Sequence, residues 1–395
     1  MTPSAVAESK GNEPLPLAGL VVLDFSQFLA GPSCALRLGD LGARVIKIER
    51  PQGGDASRQL HLADLAFDQD SALFHAINRG KLSYAADLKN DEDLARVLKL
   101  VARADVLIHN FRPGIMERLG LGFEAVRSLN PGIVYAGVSG YGPEGPWRDR
   151  PGQDLLVQSI SGIAWLSGDG GSPPVPAGLS ITDMMAGAQL VQGVLALLVR
   201  RGVTKRGGRV DVSLIEAAID LQFEHLAVYL NKGGAMPERS AVANGNVYLA
   251  APYGIYATAD SHLAIAMAPV DRLGALIGCA ALEAWPREGW FASRDAIKAT
   301  LRDHLAGRTT RAWLDILEPA GIWAVPVQSW PELIAEPGFE VLEAVQTVSS
   351  PDGESLRLTR CPIRIDGRIL TSERSAPRLG ADNAAIDAEA NGRKQ

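Results

Sequence analysis

The feature that most constrains this chain is an alternation beginning at residue 20, in which short apolar runs recur between segments with helical boundary signals. Residues 20–24 make a strand-type run ending in Asp24, Gly31-Pro32 opens a helix that Gly42 ends, and residues 44–49 make the next strand. Proline in a first helical turn gives up no hydrogen bond, because that N–H has no intrahelical partner. The unit has the size of a right-handed parallel crossover. The pattern repeats with a strand at 83–88, a helix at 91–104, and strands at 105–108 and 133–138. Asn90 caps that helix, its acids (Asp91, Glu92, Asp93) come first and its bases (Arg96, Lys99, Arg103) later, as the helix dipole favours. The expected fold class is α/β, with a parallel sheet covered on both faces. Ligands of such sheets bind beyond the carboxyl ends of the strands, here residues 26–31, 49–50, 110–114 and 139–142.

Farther on, residues 182–201 carry the longest helical pattern, ended by Gly202, then a strand at 209–212 and a helix at 213–230. After residue 231 the character changes to strands at 245–256 and 263–268 and helices over 269–317. The expected organisation is a flexible arm (1–16), a large domain (17–231), a smaller α+β domain (232–328) and a C-terminal segment (329–395) with a loose end after Leu379.

With 395 residues, 47% hydrophobic and 21% charged, the chain can bury a sizeable core. Its net charge of −6 is spread along the sequence, which argues against nucleic acid or a membrane surface as the main partner. The polar first 15 residues do not read as a signal or transit peptide, and the apolar stretch near 190–199 is interrupted by Gln192 and Gly193. Cys34, Cys279 and Cys361 lie far apart and the six histidines form no ligand pair, so a cytoplasmic protein without a metal is expected.

Chemistry concentrates at the strand ends. Arg50, Arg79, Lys81, Arg112 and Arg118 gather there, as a phosphate-rich ligand would require. Asn110-Phe111-Arg112 offers an amide, an aromatic face and a guanidinium in succession, a set that suits adenine and its phosphates. The turn of the first crossover lacks the three spaced glycines of a dinucleotide fingerprint, which disfavours NAD. Asp154 follows Arg150-Pro151-Gly152-Gln153 at the mouth of a helix. Taken alone it reads either as a helix cap or as a nucleophile held ionised by the helix start.

Several further motifs stand in one order: Asp24-Phe25 with Ala30-Gly31-Pro32, residues 41–51, Asn78-Arg79-Gly80-Lys81, residues 110–114 with Arg118, Gly140-Tyr141-Gly142, Gly152-Gln153-Asp154, Asp183, and residues 207–213. Together they resemble the class III CoA-transferases, the family of formyl-CoA transferase, carnitine CoA-transferase and α-methylacyl-CoA racemase. The resemblance implies a Rossmann-like large domain with a small domain, two subunits interlocked as a homodimer, and a C-terminal segment returning to the large domain. It places coenzyme A, as a substrate and not a permanently bound cofactor, against Gln27, Phe28, Ala30, Arg50, Lys81, Asn110, Phe111, Arg112 and Arg118. It sets Ser139 and Tyr141 near the reacting end and makes Asp154 the catalytic nucleophile, through aspartyl-anhydride and aspartyl-CoA intermediates.

The sequence also departs from relatives. Ala243-Asn244-Gly245-Asn246 stands where the formyl-CoA members carry a glycine run, and Leu82 replaces a second base after Lys81. Gln153 occupies the position of the racemase histidine, which disfavours proton exchange at an α-carbon, where Asp183 would be the second acid. Arg79, Arg148 and Arg150 suggest a second carboxylate, hence succinyl-CoA as donor and a C4–C6 dicarboxylate as acceptor. A non-catalytic CoA-binding protein remains the other class of reading, and it requires a missing or blocked nucleophile.

Overall fold

In a computed structural model, residues 13–392 are described, so the first twelve residues of the expected arm lie outside it. The chain separates into two compact units. One comprises Met1–Asp154, Ile181–Ala217 and Leu342–Gln395, and the other Leu155–Ser180 and Ala218–Val341.

The first unit is built on six parallel strands: β1 (Val21–Asp24), β2 (Arg44–Glu49), β3 (Leu82–Ala85), β4 (Val106–His109), β5 (Val134–Ser139) and β6 (Gly208–Ser213). Their spatial order is β3-β2-β1-β4-β5-β6. The chain builds outward from β1 to β3, then returns to the far side of β1 with β4. That reversal opens a crevice at the carboxyl ends of β1 and β4, where doubly wound sheets take their ligands.

Both faces of the sheet are covered. Helix α1 (Ala30–Asp40) packs on one face, and α2 (Asp91–Val101), α3 (Ile115–Arg118) and α4 (Phe123–Leu129) on the other, around a core containing Leu23, Leu107, Val97, Val101, Val126 and Tyr135. Asn90 caps α2 as expected, accepting from the N–H groups of Glu92 and Asp93. Helix α5 (Asp154–Ser161) begins at Asp154, and the long α6 (Ile181–Thr204) lies over α1 and β6. Glycines permit that approach. A Cβ on Gly187 would sit 2.2 Å from Ser33 Oγ, and one on Gly193 2.4 Å from Val210.

Helix α6 runs on through Gly202, three residues past its expected end, to Lys205 in the left-handed region. At 24 residues it is long and apolar enough to cross a membrane by composition alone. Here it is a layer of the α/β unit. The expected loose end is instead the helix Asn383–Gly392, whose Asn383 and Asp387 bond Ala85 and the Tyr84 hydroxyl.

The second unit has a three-stranded antiparallel sheet in the order Ala324–Pro326, His262–Ile265, Gly254–Ala257. Helices Val270–Ile277, Arg294–Leu305 and Thr310–Leu317 cover it around buried Trp313, Leu263 and Leu301. The expected strand at 245–256 shrinks to its last residues, and the expected helix at 213–230 breaks at Gln222.

Candidate active site

The loops after β1 and β4 meet at the crevice. Gln27 N–H donates to Asn110 Oδ1 at 2.8 Å, and Asn110 Nδ2 donates to the Gln27 carbonyl at 2.7 Å. This reciprocal pair fixes the two loops to each other. Phe28 stands beside it in the left-handed region (φ 62°), 51% exposed. A bulky residue in that conformation is strained, and such strain clusters at ligand sites. Its N–H donates to Asp55 Oδ1. Ala30 is buried at the start of α1, Phe111 packs partly on the core, and Arg112 and Arg118 are exposed. Arg50 is exposed and donates from Nε to the Gly54 carbonyl. Gln27, Phe28 and Asn110 thus stand together where the two loops meet, and Phe111 and Arg112 follow Asn110 in the chain.

Lys81 is placed differently. It is 1% exposed, and Nζ donates to Asp24 Oδ2 (2.8 Å), Asn78 Oδ1 (2.8 Å) and the Pro32 carbonyl (2.9 Å). An ammonium has three donors, so none is left for a phosphate. Burial lowers this amine to about 8 against the opposing pull of Asp24. Lys47 bonds the Ser26 carbonyl and pairs with Asp55, while burial of Asp24 is outweighed by Lys81 and Lys47, which hold its carboxyl below the usual range. Lys81 therefore braces the crevice from beneath, a correction to the coenzyme contact expected for it. Arg79 likewise pairs with Asp40 at 2.9 Å and is 3% exposed, which removes it as a second-carboxylate group.

Ser139 ends β5, and its Oγ accepts from Gly142 N–H. Tyr141 is buried with its ring edge toward Trp147. Gly140 and Gly152 pinch together, since a Cβ on Gly140 would lie 2.6 Å from the Gly152 Cα. The backbone contact brings the β5 end against the turn that leads into Asp154.

Asp154 is 5% exposed, and its Oδ1 accepts from Thr182 N–H (2.8 Å), Thr182 Oγ (2.7 Å) and Asp183 N–H (3.2 Å). It thus caps the amino terminus of α6 from across the chain, while itself starting α5. Asp183, in the first turn of α6, is only partly buried. Burial and the neighbouring Asp154 charge push its carboxyl up to about 6. Two carboxylates therefore share one helix head, the deeper one committed to backbone and hydroxyl donors and the shallower one raised above the usual carboxylate range. The sequence signal for this was an acid at the head of the longest helix, which reads equally well as an ordinary first-turn residue.

In the second unit, residues 243–246 form a pinned turn. Asn244 donates to the Leu166 and Gly168 carbonyls, and its N–H bonds Asp169.

A sequence model described as CoA-transferase family III matches residues 17–383. A succinate–glutarate CoA-transferase of Agrobacterium fabrum is 32% identical over 390 residues, covering 96% of each chain. An acetyl-CoA:oxalate CoA-transferase of Acetobacter aceti is 33% identical over 98% of each chain. The crystal structure of a CAIB/BAIF family protein from Brucella suis superposes with a TM-score of 0.82 at 30% identity, covering 96% of this chain and all of that one.

Proposed function

This chain belongs to CoA-transferase family III and is an enzyme of that family, and on that premise we propose that it moves coenzyme A from succinyl-CoA to a small dicarboxylic acid, with Asp183 as the attacking carboxylate. The relatives named for succinate, glutarate and oxalate support a dicarboxylate on at least one side of the exchange.

The observation that carries the assignment is the contrast within the acid pair. Attack on a thioester needs a carboxylate oxygen that a bulky acyl group can reach. Asp154 is nearly sealed and its Oδ1 accepts from three donors, which supports its neighbour rather than the expected Asp154 as the nucleophile. Asp183 is partly open, and at about 6 it is more basic than an ordinary carboxylate yet still mostly ionised at neutral pH. A more basic oxygen is the better nucleophile, provided it remains deprotonated.

The Asp183 oxygen attacks the thioester carbonyl, the C–S bond breaks, and CoA leaves as a thiolate with an aspartyl–acyl anhydride behind it. The thiolate attacks the aspartyl carbonyl and releases the donor acid as a carboxylate, giving an aspartyl–CoA thioester. The acceptor carboxylate attacks that thioester and again frees the thiolate, which takes the acceptor acyl group and restores Asp183. Each intermediate keeps the energy of the thioester, so no ATP is consumed. Gln27, Phe28, Ala30, Arg50, Asn110, Phe111, Arg112 and Arg118 form the surface proposed for CoA, with Ser139 and Tyr141 toward its reacting end. Asp154 is a positioning residue that holds the head of α6 and keeps Asp183 basic. Self-association as a homodimer is supported by exposed apolar side chains such as Val199, Val203 and Leu230.

The test loads the enzyme with succinyl-CoA and traps the acyl-enzyme with hydroxylamine, followed by peptide mass analysis. The expected adduct lies on Asp183 and is absent from Asp183→Asn. An adduct on Asp154, or full transfer activity in Asp183→Asn, would return the role to Asp154. Deuterium exchange at the α-carbon of a 2-methylacyl-CoA would instead support the racemase reading.

A further inference from the structure

The turn that follows β1 is held by three buried charges. Ser26 N–H donates to Asp24 Oδ1 at 3.0 Å, and Lys47 Nζ donates to the Ser26 carbonyl at 2.7 Å. Phe28 N–H donates to Asp55 Oδ1 at 3.2 Å. Lys47 Nζ in turn lies 2.8 Å from Asp55 Oδ2, and Asp24, Lys47 and Asp55 are all buried. One ion pair, Lys47–Asp55, therefore fixes the two peptide groups that flank Gln27.

Asp55 also has a plainer role, as the cap of the short helix Ala56–Gln59. Its Oδ1 accepts from Ser57 N–H at 2.9 Å and from Ser57 Oγ at 2.8 Å. Capping accounts neither for its burial, at 1% exposed, nor for the third donor, which lies 27 residues earlier in the chain. The burial is built by further groups. Glu49 Oε2 accepts from Asp55 N–H at 3.0 Å, and the buried Arg58 grips both Glu49 oxygens, from Nε and from a terminal nitrogen, at 2.8 Å each. Gly53 and Gly54 are both left-handed (φ 76° and 59°), and a Cβ on Gly54 would lie 2.8 Å from Arg58 Nε and from Glu49 Oε2. The chain thus turns too tightly for a side chain at Gly54, and the turn delivers an acid to the Phe28 N–H.

We propose that Asp55 is a positioning residue for coenzyme binding, which holds Phe28 in its left-handed conformation and so keeps the exposed ring ready for the coenzyme. The proposal rests on the reading of Gln27 and Phe28 as coenzyme surface. A bulky residue stays left-handed only where its surroundings over-determine it. A buried ion pair adds little net stability, and what this one supplies is a fixed backbone. A loop ordered in advance spares the ligand the entropy of ordering it. Asp55 therefore acts on affinity for the coenzyme and on KM, with kcat nearly unchanged.

The test titrates coenzyme A into the full-length protein by calorimetry, for wild type, Asp55→Ala, Asp55→Asn, Phe28→Gly and the double variant Asp55→Ala with Phe28→Gly. Asp55→Ala is expected to weaken binding about tenfold, the size of one lost hydrogen bond, and to raise KM for acyl-CoA with kcat within about twofold. Asp55→Asn keeps an acceptor oxygen for Phe28 N–H and is expected to restore most of the affinity. Glycine enters the left-handed region without strain, so in the Phe28→Gly background Asp55→Ala should change affinity by about twofold or less. An unaltered affinity in Asp55→Ala overturns the proposal, as does a full tenfold loss in both backgrounds. Should Asp55→Ala not fold, an affinity in Asp55→Asn reduced tenfold or more overturns it, and a retained affinity supports it. Coenzyme A that fails to bind wild type overturns the coenzyme reading itself, an outcome distinct from binding that Asp55 does not influence.

Discussion

Replacing Asp183 with asparagine should abolish transfer and stabilise the protein, and the two effects share one cause. In the folded chain the carboxyl is raised from 3.8 to about 6, first by burial and then by the Asp154 charge. A carboxyl whose folded value lies above its unfolded value binds its proton more tightly when folded. Its stabilising contribution is complete below the unfolded value and is lost as pH rises through the folded one. At pH 7 the ionised group therefore opposes folding, by at most about 3 kcal/mol at 1.36 kcal/mol per unit. Asparagine has similar volume and no charge, so Asp183→Asn removes that penalty at pH 7 and gains little near pH 4. Thermal unfolding of both proteins across this range should show the variant higher by a few degrees at pH 7, with the gap closing below pH 5. The reasoning is refuted by equal melting temperatures at pH 7, or by a gap that widens as the pH falls.

The remaining predictions follow the same geometry. Wild-type kcat/KM should rise with pH through about 6. Asp154→Asn should move that limb lower by about 1 unit, and a pH–rate profile with the limb unmoved would remove Asp154 from any electrostatic role. Lys81→Met leaves buried Asp24 with Lys47 as its one remaining cation among the described residues, and denaturant titration should show a loss of about 3 kcal/mol. Asn110→Ala breaks both bonds to Gln27 and should raise KM for acyl-CoA with a smaller change in kcat, read by steady-state kinetics.

The sheet was legible in the sequence because its inner strands are buried on both sides and so appear as apolar runs such as residues 20–23 and 106–108. Asn90 was legible because its three following acids leave little alternative to a helix start. Partners were not legible. Lys81 sits among bases at the sheet edge in sequence, yet its charge is consumed by Asp24, which lies 57 residues away. Asp154 stands out in the sequence as an acid at a helix mouth, but its donors come from residues 28 and 29 positions later, and only the fold shows which of the two acids is enclosed. In the second unit, residues 245–253 are apolar enough for a strand but fold as turns around the Ala251-Pro252 bond, where proline cannot donate to a ladder.

The pinch between Gly140 and Gly152 has a bearing on redesign. Because two bare backbones clamp the chain on either side of it, the exposed stretch 143–150 is tied off at its base from the helix head it precedes. Its length and composition can be exchanged wholesale, as in a grafted hairpin library, to select for new acceptor acids while the two glycines keep the acid pair in register.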